Sequence, residues 1–148
     1  MKKVFYLMIM LVALVGMMVM FSTKSMAAMA PEYAGISIEK GSANNVTYET
    51  GGVGIEERAA MNQSIHNYNL RLVFATMKGW YLAAIPVQIR TPDGKVLLNT
   101  TSNGPWFWAK LPAGQYEVMA SYDKKQEVHK IDVGKTPQSV EFTWHNAK

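Results

Sequence analysis

The stretch Asn103-Gly-Pro-Trp-Phe-Trp-Ala-Lys-Leu-Pro-Ala-Gly-Gln-Tyr116 sets three consecutive aromatic side chains between two turn signals. Asn103-Gly104-Pro105 introduces the stretch and Leu111-Pro-Ala-Gly114 closes it. Pro112 is preorganised for the first corner of a tight turn, and Gly114 accepts a left-handed backbone. Tyr116 then buries its ring in the following strand while its hydroxyl reaches backbone at the end of the sheet. Strict alternation back from Leu111 points Ala109 and Phe107 inward and sets both Trp on the other face.

The flanks repeat this pattern of short alternating runs between turns, which is the signal of an all-β domain. Upstream, Leu70, Leu72 and Phe74 share one face, and so do Ile85, Val87 and Ile89. Pro86 lies in the second of these runs, so its missing N–H belongs at a sheet edge or at the strand's beginning. Thr91-Pro-Asp-Gly-Lys95 is a turn, and Val96 to Thr101 is the next strand. Downstream come Tyr116, Val118 and Ala120 on one face, a tight connection at Asp123, a strand from Gln126 to Val133, and the alternating Val140, Phe142 and Trp144. About seven strands result, the size of a two-sheet antiparallel sandwich.

Before Tyr68 the chain is different. Ala34 to Glu39 and Asn45 to Thr50 are expected as edge strands within a loose, Gly-rich segment. One short helix is expected over 55–66, because Glu56 and Glu57 in its first turn complement the positive end of the dipole. Its apolar stripe would carry Ile55, Ala59 and Ile65, with Asn62 beside them. Earlier still, Met1-Lys-Lys, the apolar run Val4 to Phe21 and the small residues up to Ala30 have the layout of a secretory signal, with cleavage expected after Ala27. A retained anchor is the rival, since eighteen apolar residues are near the lower limit for a bilayer span. The expected organisation is thus a signal peptide over 1–27, a Gly-rich segment with the short helix over 28–67, and a sandwich over 68–148.

The run from Ile85 to Ala120 resembles the carboxypeptidase regulatory-like domains of the prealbumin (transthyretin-like) sandwich superfamily. The shared pattern is Val87 and Ile89, Asp93-Gly94, Thr101, Gly104, Trp106 and Trp108, and then Leu111-Pro-Ala-Gly-Gln-Tyr-Glu-Val118. The resemblance covers about Tyr68 to Trp144 and implies a seven-stranded antiparallel Greek-key sandwich. Its signature residues are Gly104, Trp106, Trp108, Leu111, Pro112, Gly114 and Tyr116. It also implies a one-residue bulge near Ala109-Lys110 that turns Trp106 and Trp108 to the side of Leu111. Burial favours the bulge, because exposing two indoles costs several kcal/mol more than exposing one phenyl ring. Phe107 then becomes the surface aromatic.

Composition narrows the function. The sequence has 15 Lys and Arg, 11 Asp and Glu and no Cys. Three of the basic residues and none of the acidic ones precede residue 28, so the remainder carries 12 basic against 11 acidic groups, a net charge of +1. That balance gives no case for nucleic acid. Without Cys, thiolate metal sites and disulfides are excluded. His66, His129 and His145 lack metal-ligand spacing, Glu56-Glu57 reads as a solvated helix start, and Gly51-Gly-Val-Gly54 lacks the Lys of a phosphate loop. No catalytic residue, metal or cofactor is assigned. Trp80, Tyr81, Phe107 and Trp144 are the candidate partner-binding aromatics, suited to an envelope protein or glycan. The expectation is an exported, non-catalytic binding module in the periplasm or outside the cell. A membrane contact enters only through an uncleaved leader, as in an inner-membrane tethered structural protein. The enzymatic alternative is the superfamily's 5-hydroxyisourate hydrolase, whose terminal Tyr-Arg-Gly-Ser has no counterpart in Thr143-Trp-His-Asn-Ala-Lys148.

Overall fold

Nine strands and one helix make up residues 37–145, the part of the chain described by the computed structural model. The leader and its expected cleavage after Ala27 lie outside the described residues. So does half of the expected strand Ala34 to Glu39, of whose described residues only Glu39 is in a strand. Two strands open the described region: β1 (Glu39–Ala43) and β2 (Val46–Gly51), joined at Asn44 and Asn45. Both Asn have positive φ, 47° and 64°, the conformation of a tight hairpin turn that Asn tolerates well. Helix α1 (Ile55–Ser64) runs into a 3-10 turn, Ile65–Asn67. Then come β3 (Leu70–Thr76), β4 (Pro86–Arg90), β5 (Val96–Thr101), β6 (Trp106–Lys110), β7 (Gly114–Tyr122), β8 (Lys125–Val133) and β9 (Gln138–Trp144).

The strands form two sheets, β1-β2-β6-β3-β9 and β5-β4-β7-β8. This is an all-β sandwich, but the expected seven antiparallel strands are corrected on two counts. Nine strands are described, because β1 and β2 continue the larger sheet past β6. The sheet is also mixed, since β3 and β9 run parallel from Leu70↔Gln138 to Thr76↔Trp144. The cause is the connection at 134–137, which brings the chain back at the end of the sheet where β3 begins. Gln138 N donates to Asn69 O there at 2.8 Å. Nor is β2 an edge strand: it lies between β1 and β6.

Leu70, Leu72, Phe74, Phe107, Phe142 and Trp144 from the larger sheet meet Val87, Ile89, Leu98, Tyr116, Val118 and Val133 from the smaller. The period-two pattern made these faces. Pro86 stands at the beginning of β4, where its missing donor leaves no gap in the pairing with β7, which starts at Val87. At 91–95, Gly94 has φ 92° and its N–H donates to Thr91 O at 2.9 Å. The hydrogen bond from Thr91 holds the Asp93 carboxyl below the usual carboxylate range.

The aromatic stretch follows strict alternation, and the bulge is absent. β6 pairs with β2 in unbroken register from Thr47↔Lys110 to Gly51↔Trp106, and with β3 from Leu70↔Ala109 to Val73↔Trp106. Phe107 is therefore not a surface aromatic. It is fully buried between the sheets, stacked on Tyr48 with ring centroids 5.2 Å apart. Trp106 and Trp108 lie on the opposite face, stacked on each other at 5.6 Å. The burial argument for the bulge assumed that this face meets water. It does not, because the chain before Tyr68 covers it, and Trp108 is buried.

Helix α1 supplies part of that cover with a different stripe from the expected one. Ile55, Ala59 and Asn62 are exposed and Ile65 is half-buried, whereas Met61 is completely buried. The face toward β2 is Glu57, Met61 and Ser64, at spacings of four and three. A Cβ on Gly51 would touch the Met61 sulfur and the Glu57 carboxylate at 3.4 Å, so the bare strand end makes room for the helix.

Candidate functional site

Two clusters that include candidate residues or ionisable groups emerge from this arrangement. The first is a buried carboxylate. Glu49 on β2 points to the outer face of the larger sheet, where alternation alone would leave it solvated, yet it is 1% exposed. It accepts hydrogen bonds from Ser64 Oγ at 2.8 and 3.0 Å and from Tyr68 OH at 2.9 Å, and Lys40 Nζ approaches to 3.3 Å. Lys40 is its cross-strand neighbour, while Ser64 ends α1 and Tyr68 follows the 3-10 turn before β3. Burial and the adjacent Glu49 carboxylate push the Tyr68 phenol up to about 12. The Tyr68 ring also lies against Trp108 at 6.4 Å. Ser64 bonds both carboxylate oxygens and Tyr68 one of them, so the cluster acts as a latch that fixes the end of α1 to the sheet.

Two outcomes test the latch. Glu49→Ala leaves the Tyr68 hydroxyl without its acceptor and Ser64 Oγ with only Met61 O at 2.9 Å, and should lower unfolding stability by about 1–3 kcal/mol, read by urea titration. Lys40→Ala, whose side chain is mostly exposed, should change it by under ~1 kcal/mol. The pH dependence has a definite sign. The folded state favours the protonated phenol, so the contribution of Tyr68 is complete below the ordinary phenol value of about 10. It is lost as pH rises through about 12. Tyr68→Phe should flatten the fall of stability between these values; an unchanged slope would contradict the assignment.

The second cluster lies at one end of the sandwich. Strand directions bring to that end the start of β1, the β2–α1 connection, the β3–β4 loop, the β5–β6 connection and the β7–β8 turn. Val53, Ile55, Met77, Trp80 and Tyr81 are found there, each between 56% and 74% exposed. The only other large apolar side chains classed as exposed among the described residues, Val96 and Val128, are elsewhere and less open. Backbone bonds hold the β3–β4 loop: Thr76 N donates to Trp80 O at 2.8 Å, Met77 N to Trp144 O at 2.9 Å, and Leu82 N to Phe74 O at 3.0 Å. Gly79, with φ 82°, makes the bend that turns Trp80 outward. Arg58 from α1 sets its guanidinium 5.9 Å from the Tyr81 ring centroid. The same side chain donates to Gly52 O at 2.7 Å and Val53 O at 3.1 Å. Glu57 Oε2 accepts from Gly52 N and Val53 N, both at 2.9 Å. The two N–H groups that a phosphate would need in this Gly-rich loop are thus already taken, and Glu57 is a half-buried clamp on the loop before α1 instead of a solvated acid.

Of the four candidate aromatics, Trp80 and Tyr81 stand together at this surface and the other two do not. Phe107 is in the core, as above. Trp144 is 2% exposed, its ring against Phe142 and Tyr122 at 5.9 Å and Phe74 at 6.5 Å, because alternation along β9 turns it with Phe142 into the core between the sheets. The signature residues sit in the β5–β7 region. Tyr116 OH donates to Pro112 O at 2.8 Å, burial raises its pKa, and Leu111 is in the core. Gly114 has φ 156°, a positive value that L side chains rarely adopt. Val53, Ile55 and Met77 carried no signal in the sequence as surface groups. Glu49 carried none as a buried one.

His66 and His145 are exposed and His129 is half-buried against Phe142 at 4.6 Å. No group of three or more His, Cys, Asp or Glu that could hold a metal occurs among the described residues. No helix among them is long and apolar enough to cross a membrane. No protein-family model matches this chain, and no curated protein matches it.

Proposed function

We propose that this chain is an exported, non-catalytic β-sandwich of the carboxypeptidase regulatory-like type that binds another component of the cell envelope through its aromatic end. The observation that carries the reading is the concentration of Val53, Ile55, Met77, Trp80 and Tyr81 on one end of the fold. Scattered exposed apolar residues are ordinary, but a cluster held by backbone bonds and a cation–π contact is the usual form of a binding surface. The family reading is supported by the division of β3 to β9 between two sheets, with crossings at β3–β4, β5–β6, β6–β7 and β8–β9 consistent with a Greek key. The Tyr116 to Pro112 bond gives it further support.

Site-specific photocrosslinking in cells tests the function. A photoreactive residue in place of Tyr81 should capture an envelope component, and the same residue in place of Lys95, exposed at the opposite end, should not. Identical adducts from both positions, or self-adducts alone, would count against a binding role for this end.

A further inference from the structure

We infer that the envelope component is a lipid bilayer, with Met77, Trp80, Tyr81, Val53 and Ile55 seated in its headgroup interface; this rests on the reading of that end as the binding surface. Three observations favour lipid over the protein or glycan expected from sequence. The first is side-chain type. Trp and Tyr with aliphatic neighbours suit the interface between hydrocarbon and water, where an amphipathic ring is stable with one edge wet. A sugar platform would need several free donors and acceptors beside the rings; the polar side chain set on them, Arg58 against Tyr81, already donates to Gly52 O and Val53 O, and Val53, Ile55 and Met77 share their end.

The second observation is where the chain enters. Ser37 lies at this same end, its carbonyl accepting from Asn103 Nδ2 at 2.8 Å. The apolar run Val4 to Phe21 is sixteen peptide steps before it. Sixteen peptide steps span at most about 53–58 Å, so this end stays within that distance of any membrane that holds the run. Processing after Ala27 would remove the tether and leave the loop contacts alone, a weaker but still directed association. The third observation is charge. Exposed Lys78, Lys124 and Lys125 are balanced at this end by Glu39, Glu56 and Asp123. The attraction is therefore apolar, and it needs no anionic lipid.

Trp80 reports on the contact directly, because Trp108 and Trp144 are buried and Trp106 is half-buried. The full chain is reconstituted with neutral phosphatidylcholine vesicles, with and without bromine on the upper acyl chain. Trp80 emission, taken as the difference from Trp80→Phe, should shift to the blue, lose its quenching by iodide, and gain quenching by the brominated lipid. Val53→Asp with Ile55→Asp, both on exposed positions that leave the core intact, should reverse all three changes. Adding phosphatidylglycerol should change little. A chain that does not sediment with vesicles overturns the inference. So does one that sediments while Trp80 stays open to iodide and unaffected by bromine. Crosslinks from position 81 to an envelope protein or glycan would then keep the binding role and replace lipid as its partner; with no such crosslinks, both readings fall.

Discussion

Phe107→Ala should lower unfolding stability by about 3–5 kcal/mol, with a urea midpoint shift and no change of slope if the native state stays compact. Phe107 has no exposed surface, stacks on Tyr48, and faces the smaller sheet beside Leu72 and Ala109. Its removal leaves a hole between two sheets whose backbones are fixed by ladders, so little relaxation can fill it. Trp80→Ala removes a larger ring from a 70% exposed position and should shift stability by no more than about 0.5 kcal/mol. The contrast separates the register with Phe107 inside from the bulged one, in which Phe107→Ala would be nearly silent. Equal and small effects of the two substitutions would refute the described register of β6.

Gly104→Ala should be almost as damaging, by about 3 kcal/mol or more. A Cβ at this position would collide with the backbone carbonyl of Gly51, whose O, C and Cα are all too close to accept it. Backbone cannot swing aside as a side chain can. Moving Gly51 would disturb its pairing with Trp106, the Thr50 Oγ1 bond to Trp106 O at 3.0 Å, and the contact with Met61 under the helix. Gly134→Ala is the control, since nothing lies within 4 Å of its Cβ, and it should be neutral to within about 0.5 kcal/mol. If Gly104→Ala also proved neutral, the close approach between the β5–β6 connection and the end of β2 would be wrong.

These two positions show how much of the molecule was legible beforehand. The recurring glycine of the motif could be noticed in the sequence, but its reason lies in Gly51, a residue more than fifty positions away and outside the resemblance. For Phe107, alternation gave the right side and a plausible energy argument overturned it. That argument treated the face away from the core as water, and no local pattern announces that another segment will lie on it. The candidate site divides in the same way. Trp80 and Tyr81 follow a Gly that bends the chain outward, a signal readable in place. Trp144 looked similar in type and position, yet it faces the core between the sheets, against Phe74, Tyr122 and Phe142.

Local chemistry by itself determined the strands from Leu70 to Trp144, their inward faces, the turns at 91–95 and 112–114, and the all-β class, because alternation and turn propensity act over a few neighbours. Only the tertiary structure decided that β2 would enter the larger sheet, that β9 would lie parallel to β3, that Glu49 would be enclosed by Ser64 and Tyr68, and that five apolar side chains would gather at one end. Each of these depends on contacts between residues distant along the chain, and the free energy of such a contact is fixed by what arrives opposite, which a residue's own neighbours do not specify.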